Sequence, residues 1–596
     1  MIVTDLFDKH VATCASDAAL EHWTPKGSRT FATKDVARQV SRVAAGLIAL
    51  GLKPAERVLL IAENRPEWAI LDYATLYAGG VLVPVYTSLT IPQLQYILDN
   101  SGASIVVASN QALLDKLLAA AKGAPGLRQV VCIEPEASGP GVISLETIAA
   151  RGDELLGRSP VSWREKASLT RENDIATIIY TSGTTGPPKG VMLSHGNLTS
   201  NVKTLCEVLD FSASDTALSF LPLCHVTQRL ADYCYFVQGV HIVYVGLEDL
   251  SASLTAVRPT TFPAVPRVYE KARDSILTKV SKRPPLARAL FHWGVGVGRE
   301  AGRCRIERRE PDPWLKLRHA VADHLVLSRV REGLGGRLRY VLSGGAPLNP
   351  EVMQFFLAAG VPILEGYGLT ETLVLTVNRL ERFKPGSVGP PLPGVELKLD
   401  DDGELLARGA GICQGYFRDE ERTRESFANG WFRTGDLARI DEEGHLKITG
   451  RKKELLVTSG GKKVSPALIE QTILSNNLVS QVALVGDGRK FVSALLVPDR
   501  GRLLARCEQQ GGARRQDASY ETLLERPEIR LIYEGIIDMA NRDLARYEQI
   551  KKFVLLPSEF TVEGGELTPT MKIKRRVVEE KYRALIESLY ADAREG

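Results

Sequence analysis

Short, uninterrupted apolar runs rich in β-branched residues recur through the first two-thirds of the chain, at residues 57–62, 81–85, 104–109, 129–133, 176–180, 241–245 and 338–343. Between them lie stretches with apolar positions at helical spacing. Residues 36–50 form one, running up to Gly51, a residue suited to ending a helix. Runs that are apolar throughout suit strands buried on both faces, and strands alternating with helices predict a doubly wound, parallel α/β sheet. From about residue 386 the texture changes to Gly/Pro punctuation with short alternating strands, GSVGPPLPGVELKLDDDGELLARG, which predicts a small β-rich subdomain. After Gly450 the charged run RKKE opens a last stretch with strand patterns at 481–485 and 491–497 and a helical pattern at 529–546. The predicted organisation is therefore a large N-terminal α/β domain over residues 1–450 and a small, mobile α+β lid domain over residues 451–596. No internal repeat is present.

Composition adds bounds. A chain of 596 residues is too long for one core, because cores stop growing at roughly 250–300 residues. With 44% hydrophobic and 24% charged residues, it belongs with globular proteins rather than disordered, fibrous or membrane-spanning ones. The net charge of +4 gives no reason to expect a nucleic-acid partner, so any anion binding is local. Eight cysteines between Cys14 and Cys507 show no C-x-x-C pair and no zinc spacing, which suits reduced thiols in a cytoplasm. The opening MIVTDLFDKH has Asp5 and Asp8 where a secretory signal carries basic residues, and no run reaches the roughly 18 apolar residues of a membrane span. The expectation is a soluble cytoplasmic protein, at most peripheral to a membrane. Residues 282–318 are dense in arginine, interleaved with Phe291, Trp293 and Trp314. They read as a solvated, amphipathic surface insertion in preference to a membrane-surface or acidic-partner patch.

The strongest local chemistry is YTSGTTGPPKG, residues 180–190, directly after the apolar run ATIIY. Thr181, Ser182, Gly183, Thr184, Thr185 and Gly186 can turn backbone N–H groups and hydroxyls toward a phosphate chain, with Lys189 adding positive charge. It is not a Walker A loop, since Lys189 follows Pro188 and lacks the Gly-Lys-Ser/Thr step. Pro187 and Pro188 stiffen its exit, which separates it from an ordinary flexible turn.

This loop resembles the signature of the adenylate-forming (AMP-binding) superfamily, which includes acyl-CoA synthetases, luciferases and peptide-synthetase adenylation domains. Its other motifs follow in the same order over nearly the whole chain. SGGAP, residues 343–347, resembles the segment lining an adenine pocket, which implicates Gly344, Gly345 and Ala346. In GYGLTET, residues 366–372, the resemblance gives Gly366, Tyr367 and Gly368 to the nucleotide, Thr370 to the α-phosphate and Glu371, with Thr184, to Mg²⁺. Taken alone, L-T-E-T is equally a helix N-cap. GWFRTGD, residues 430–436, implies that Asp436 accepts the ribose hydroxyls. GRKKE, residues 450–454, resembles the family hinge, with Arg451 near the ribose and Lys453 at the pivot. LTPTMKIKRR, residues 567–576, carries the lysine that neutralises the attacking carboxylate, assigned to Lys572 with Lys574 as runner-up.

The resemblance implies two half-reactions. The catalytic set of Lys572, Glu371, Thr370 and Lys189 makes an acyl-adenylate from ATP, and a turn of the lid then brings residues 458–464, TSGGKKV, to the site. Ser459, Gly460 and Gly461 there leave room for a narrow pantetheine arm. The variant EGYGLTET, the segment LPLCHVTQR at residues 221–229, the insertion before SGGAP and the LTPT lysine motif all resemble long-chain fatty acyl-CoA synthetases. That implies a fatty acid, ATP and CoA as substrates, and is compatible with peripheral membrane association and a homodimer. Thr227 and Gln228 stand where the family version LPL-x-H-V-F-E-R has an aromatic and an acid. His225 either lines the junction of the nucleotide and acyl sites or is a hydrogen-bonded structural histidine. The alternatives weighed are a fatty acyl-AMP ligase loading a carrier protein, a non-catalytic ligand sensor, and an aryl or amino acid adenylating enzyme.

Overall fold

The computed structural model describes residues 1–124, 126–158, 169–181, 187–509, 519–568 and 572–591. The chain divides into two compact units. The first comprises residues 1–398, 406–434 and 440–446, and the second residues 399–405, 435–439 and 447–596.

The first unit is built on an eight-stranded sheet in the spatial order Gly415–Tyr416, Lys189–Ser194, Ile175–Thr181, Val81–Val85, Arg57–Ile61, Ile105–Ala108, Gln129–Cys132 and Val142–Ser144. Its central strands are parallel, as continuous apolar runs demand, and residues of Val81–Val85 and Ile105–Ala108 are buried throughout. Two edge strands depart from the expected parallel pattern: Lys189–Ser194 folds back antiparallel on Ile175–Thr181, and Gly415–Tyr416 pairs antiparallel with it in turn. The helix expected from residue 36 runs Thr33–Ala49, with Val36, Val40, Val43 and Leu47 buried on one face, and Gly51 takes φ +82° just beyond it.

Two further four-stranded sheets complete this unit. One has the order Thr216–Ser219, His241–Tyr244, Leu20–Thr24, Gly27–Phe31, and the other Pro263–Ala264, Val341–Ser343, Ile363–Leu369, Leu373–Val377. The predicted β-rich texture appears as short strands from Glu396–Leu399 to Leu446–Arg451.

The second unit holds a three-stranded sheet of Val479–Val485, Val492–Pro498 and Ile550–Leu555, with helices Pro466–Leu474 and Pro527–Asn541 packed on one apolar cluster and Arg583–Tyr590 on another. The predicted helix over 529–546 stops at Asn541, whose side-chain amide bonds the backbone of Ile550. Among the described residues, no helix is long and apolar enough to cross a membrane.

Candidate active site

The Gly/Ser/Thr-rich segment is flanked by two strands that pair antiparallel. Its flanks, Thr181 and Lys189, face each other across the antiparallel pair Ile175–Thr181 and Lys189–Ser194. Residues 182–186, which carry Ser182, Gly183, Thr184, Thr185 and Gly186, lie outside the described residues. Lys189 emerges half-buried, its ammonium 5.2 Å from the centre of the Tyr416 ring. The Tyr416 hydroxyl donates to Glu371 Oε1 at 2.9 Å. One aromatic ring thus stands between the lysine of the first motif and the carboxylate of the third. Burial and the Glu371 charge hold the Tyr416 phenol far above its ordinary pKa, so it stays a donor. Sequence reasoning did not single out Tyr416. It is brought here by a two-residue strand whose partner lies more than 200 residues earlier, and the only local signal is an aromatic after a glycine in QGYF.

The third motif is a strand and a tight turn, not the helix N-cap that L-T-E-T also suits. Ile363–Leu369 pairs antiparallel with Leu373–Val377, with a bulge at Tyr367/Gly368, and the turn is tied by Leu369 N–H donating to Thr372 Oγ1 at 2.9 Å. A Cβ at Gly368 would collide with the Leu373 carbonyl, so only glycine fits this crossing, and Leu373 itself sits at φ +54°. The construction puts Thr370 and Glu371 at the tip, both half-buried.

Val341–Ser343 runs parallel to the same strand, with Ser343 opposite Glu365. The backbones of Gly344 and Gly366 come close enough that a Cβ on Gly344 would sit 3.6 Å from the Gly366 carbonyl. Gly344, Gly345 and Ala346 therefore lie beside Gly366 and Tyr367, and a planar base can meet backbone from both. Tyr367 is half-buried and Gly368 exposed.

Buried beneath that pair of segments, Glu365 accepts the Leu348 N–H at 3.3 Å through Oε1. Burial pushes its carboxyl up to about 7. Since the folded pKa is raised, the proton is held better by the fold than by the unfolded chain. The contribution is present below the unfolded carboxylate range near 4.5 and is lost as pH rises through about 7, amounting to about 3 kcal/mol. Glu365→Gln keeps an acceptor for Leu348 without the charge. The expected result is a melting temperature that matches the wild type at pH 5 and exceeds it at pH 8.

His225 caps the helix Val226–Val237, its Nδ1 accepting from the Thr227 N–H at 3.2 Å, and it is half-buried. The two departures from the family segment have different fates. Thr227 is half-buried, whereas Gln228 is buried, taking the Leu221 N–H at 3.2 Å and giving its amide to Asp232 at 2.8 Å. Burial raises the Asp232 carboxyl to about 7. Beside it, Arg229 is fully buried and forks onto Asp72 of the helix Pro66–Tyr77. It also donates at 2.8 Å to Thr177 in the strand that feeds the phosphate-type loop. Tyr233 completes the cluster with a 2.7 Å bond to Asp72.

Alternate residues of the strand Trp431–Ile440 are buried, among them Thr434 and, in its stretch belonging to the second unit, Asp436. Arg451, at the end of Leu446–Arg451, reaches Asp436 Oδ1 at 3.3 Å. Lys453 lies exposed in the short 3₁₀ turn Lys452–Glu454, while Lys452 bonds Glu404 at 2.9 Å and also pairs with Asp402. Among the described residues, Asp400, Asp402 and Glu404 are the one cluster with metal-like spacing, and the Lys452 ammonium already occupies two of its carboxylates.

Ser459, Gly460 and Gly461 form the exposed tip of the hairpin between Leu456–Val457 and Lys463–Val464, with Gly461 at φ +73°. Lys572 is exposed beside a small antiparallel closure: its N–H donates to Thr568 Oγ1 at 3.0 Å and its carbonyl accepts from Thr568 N–H at 2.8 Å. Ile573 turns toward the apolar cluster and Lys574, half-buried, caps the helix Arg575–Lys581.

The chain matches the family model described as AMP-binding enzyme over residues 7–417, and the AMP-binding enzyme C-terminal domain over residues 453–594. It is 36% identical over 566 residues to the long-chain-fatty-acid–CoA ligase FadD15 of Mycobacterium tuberculosis, covering 93% of this chain and 91% of that one. To the long-chain-fatty-acid–CoA ligase ACSBG2 of Xenopus laevis it is 32% identical, covering 93% and 79% of the two chains. Among solved structures, ATP-bound MatB from Rhodopseudomonas palustris aligns with a TM-score of 0.70 at 25% identity, over 98% of this chain and all of that one.

Proposed function

This chain belongs to the AMP-binding enzymes, and from that premise we infer that it is an ATP-dependent long-chain fatty acid–CoA ligase, converting a fatty acid to its acyl-adenylate and then to acyl-CoA. One observation carries the reading: relatives named as long-chain fatty acid–CoA ligases align with 93% of the chain at 32–36% identity, across both matched domains. Transfer to a carrier protein is not favoured.

Adenylation brings two anions together, a carboxylate and the α-phosphate of ATP, and the residues described above supply what that needs. Tyr367 stacks on the adenine against the backbone of Gly344 to Ala346, and Asp436 takes the ribose hydroxyls with Arg451 beside it. Lys189 and the 181–186 loop hold the phosphate chain, with Thr370 on the α-phosphate. Lys572 offsets the negative charge of the incoming carboxylate. Glu371 suits Mg²⁺, which typically takes one or two protein carboxylates with substrate phosphates and waters; Thr184 is its second proposed ligand. When bound, the ion neutralises polyphosphate charge. Tyr416 orients the Glu371 carboxylate and sets its distance from Lys189. In the second step His225 serves the acyl side and the glycine-rich tip Ser459 to Gly461 leaves room for the pantetheine arm of CoA. Eight cysteines without a disulfide suit the reducing cytoplasm in which such a reaction uses free CoA.

The test is AMP and pyrophosphate release across saturated acids of increasing length, with and without CoA. The expected profile peaks at long acids, because burial gains about 0.8 kcal/mol per CH₂, and sustained turnover requires CoA. Turnover with short or aromatic acids only, or a rate indifferent to CoA, would overturn the assignment.

A further inference from the structure

Glu404 opens the strand Glu404–Arg408 and is buried, its side chain 4% exposed. An ionised carboxylate is costly to enclose unless hydrogen bonds and a counter-charge meet it. Here both do. Oε1 accepts the Gly435 N–H at 3.1 Å, and Oε2 takes the Lys452 ammonium at 2.9 Å. The turn before the strand strengthens the hold on the lysine: Asp402 pairs with the same ammonium, and its Oδ1 accepts the Glu404 N–H at 3.1 Å. Asp402 and Glu404 together hold the Lys452 pKa above its ordinary value, so the positive charge persists.

The two residues that Glu404 holds are the chain neighbours of the two that meet at the ribose position. Gly435 precedes Asp436, Lys452 follows Arg451, and the Arg451 guanidinium reaches Asp436 Oδ1 at 3.3 Å. All of these residues belong to the second unit. One buried carboxylate therefore ties the strand that bears the acid to the segment that bears the base. Gly435 shows what the tie does. It sits at φ +72° inside the strand Trp431–Ile440, and a Cβ there would meet no atom within 4 Å beyond its chain neighbours, so the glycine answers to backbone shape and not to crowding. A left-handed residue breaks the regular ladder at its position, and the Glu404 carboxylate receives the N–H there, fixing the direction in which Asp436 leaves. An ion pair that only closed the turn at residues 400–403 would be met by Asp402 alone and would not need an oxygen on Gly435.

We propose that Glu404 is a positioning residue for the nucleotide: through Gly435 and Lys452 it sets Asp436 and Arg451 against each other, and with them the preference for a nucleotide that carries its 2′-hydroxyl. The inference rests on the ribose role given to Asp436 above and does not depend on which acid the enzyme activates.

The experiment is calorimetric titration of the full chain with ATP and with 2′-deoxy-ATP, each with Mg²⁺ and without fatty acid, and it reads the ratio of the two dissociation constants. The wild type is expected to favour ATP at least about tenfold, the worth of one hydrogen bond to a charged group. Asp436→Ala should bring the ratio close to one. Glu404→Ala and Lys452→Met, at side chains that act through their neighbours, should each lower the wild-type ratio at least about threefold. A carboxylate that served only the fold would weaken both nucleotides equally and leave the ratio unchanged; that result in either folded variant would overturn the proposal. Should Glu404→Ala fail to fold, Lys452→Met decides, since its side chain is 40% exposed. No discrimination by the wild type, or undiminished discrimination in Asp436→Ala, would overturn the ribose assignment itself and the inference with it.

Discussion

Lys572→Ala is expected to slow acyl-adenylate formation by about 10²–10³-fold, the range lost when a group aimed at developing charge in a transition state is removed. The same variant should handle chemically prepared acyl-adenylate and CoA at close to the wild-type rate, because thioester formation does not bring carboxylate and phosphate together. Lys574→Ala is the internal control. Lys572 is exposed on a backbone pinned twice to Thr568, whereas Lys574 is half-buried at the start of the helix Arg575–Lys581. Single-turnover pyrophosphate release separates the two. A larger loss at Lys574 would reverse their roles, an equal loss would deny Lys572 its special part, and a loss of thioester formation equal to that of adenylation would mean that Lys572 acts through general structure.

Arg229→Ala should cost about 3–5 kcal/mol of stability, the usual penalty for stranding one member of a buried ion pair. Asp72 would be left inside the protein with its counter-charge gone, and the Thr177 and Tyr233 hydroxyls would each lose the donor that Arg229 supplies. Thermal unfolding of the single variant and of Arg229→Met/Asp72→Leu measures this. The double change removes both charges and is expected to recover most of the loss. Equal destabilisation in the two would show that the penalty comes from lost packing around the guanidinium rather than from an orphaned charge.

Much of this architecture was legible in the sequence for a simple reason. A central strand of a parallel sheet is covered on both faces, so runs such as RVLLI and VLVPV carry their burial in their own residue types. The same logic failed at the edges. KGVMLS reads as the exit of a Gly-rich loop, and only its antiparallel pairing with Ile175–Thr181 makes it a strand. L-T-E-T carries cap chemistry and turn chemistry alike. What decides is the crossing of Gly368 over Leu373, a contact formed in three dimensions. Tyr416 was invisible because its neighbours Lys189 and Glu371 come from other motifs. In the lysine motif, alternate spacing leaves two candidates open; the inward turn of Ile573 then leaves Lys572 exposed and Lys574 half-buried.

The bond from Gln228 to Asp232 bears on how this sequence can drift over generations. An amide can give a hydrogen to a buried carboxyl while accepting one from the Leu221 backbone; an ionised glutamate can do only the second. The residue at position 228 is therefore coupled to the one at 232. A glutamate at 228 would place two carboxyls in that enclosed space, where they repel unless one keeps a proton. The side chain tolerated at 228 thus depends on the residue one helical turn away.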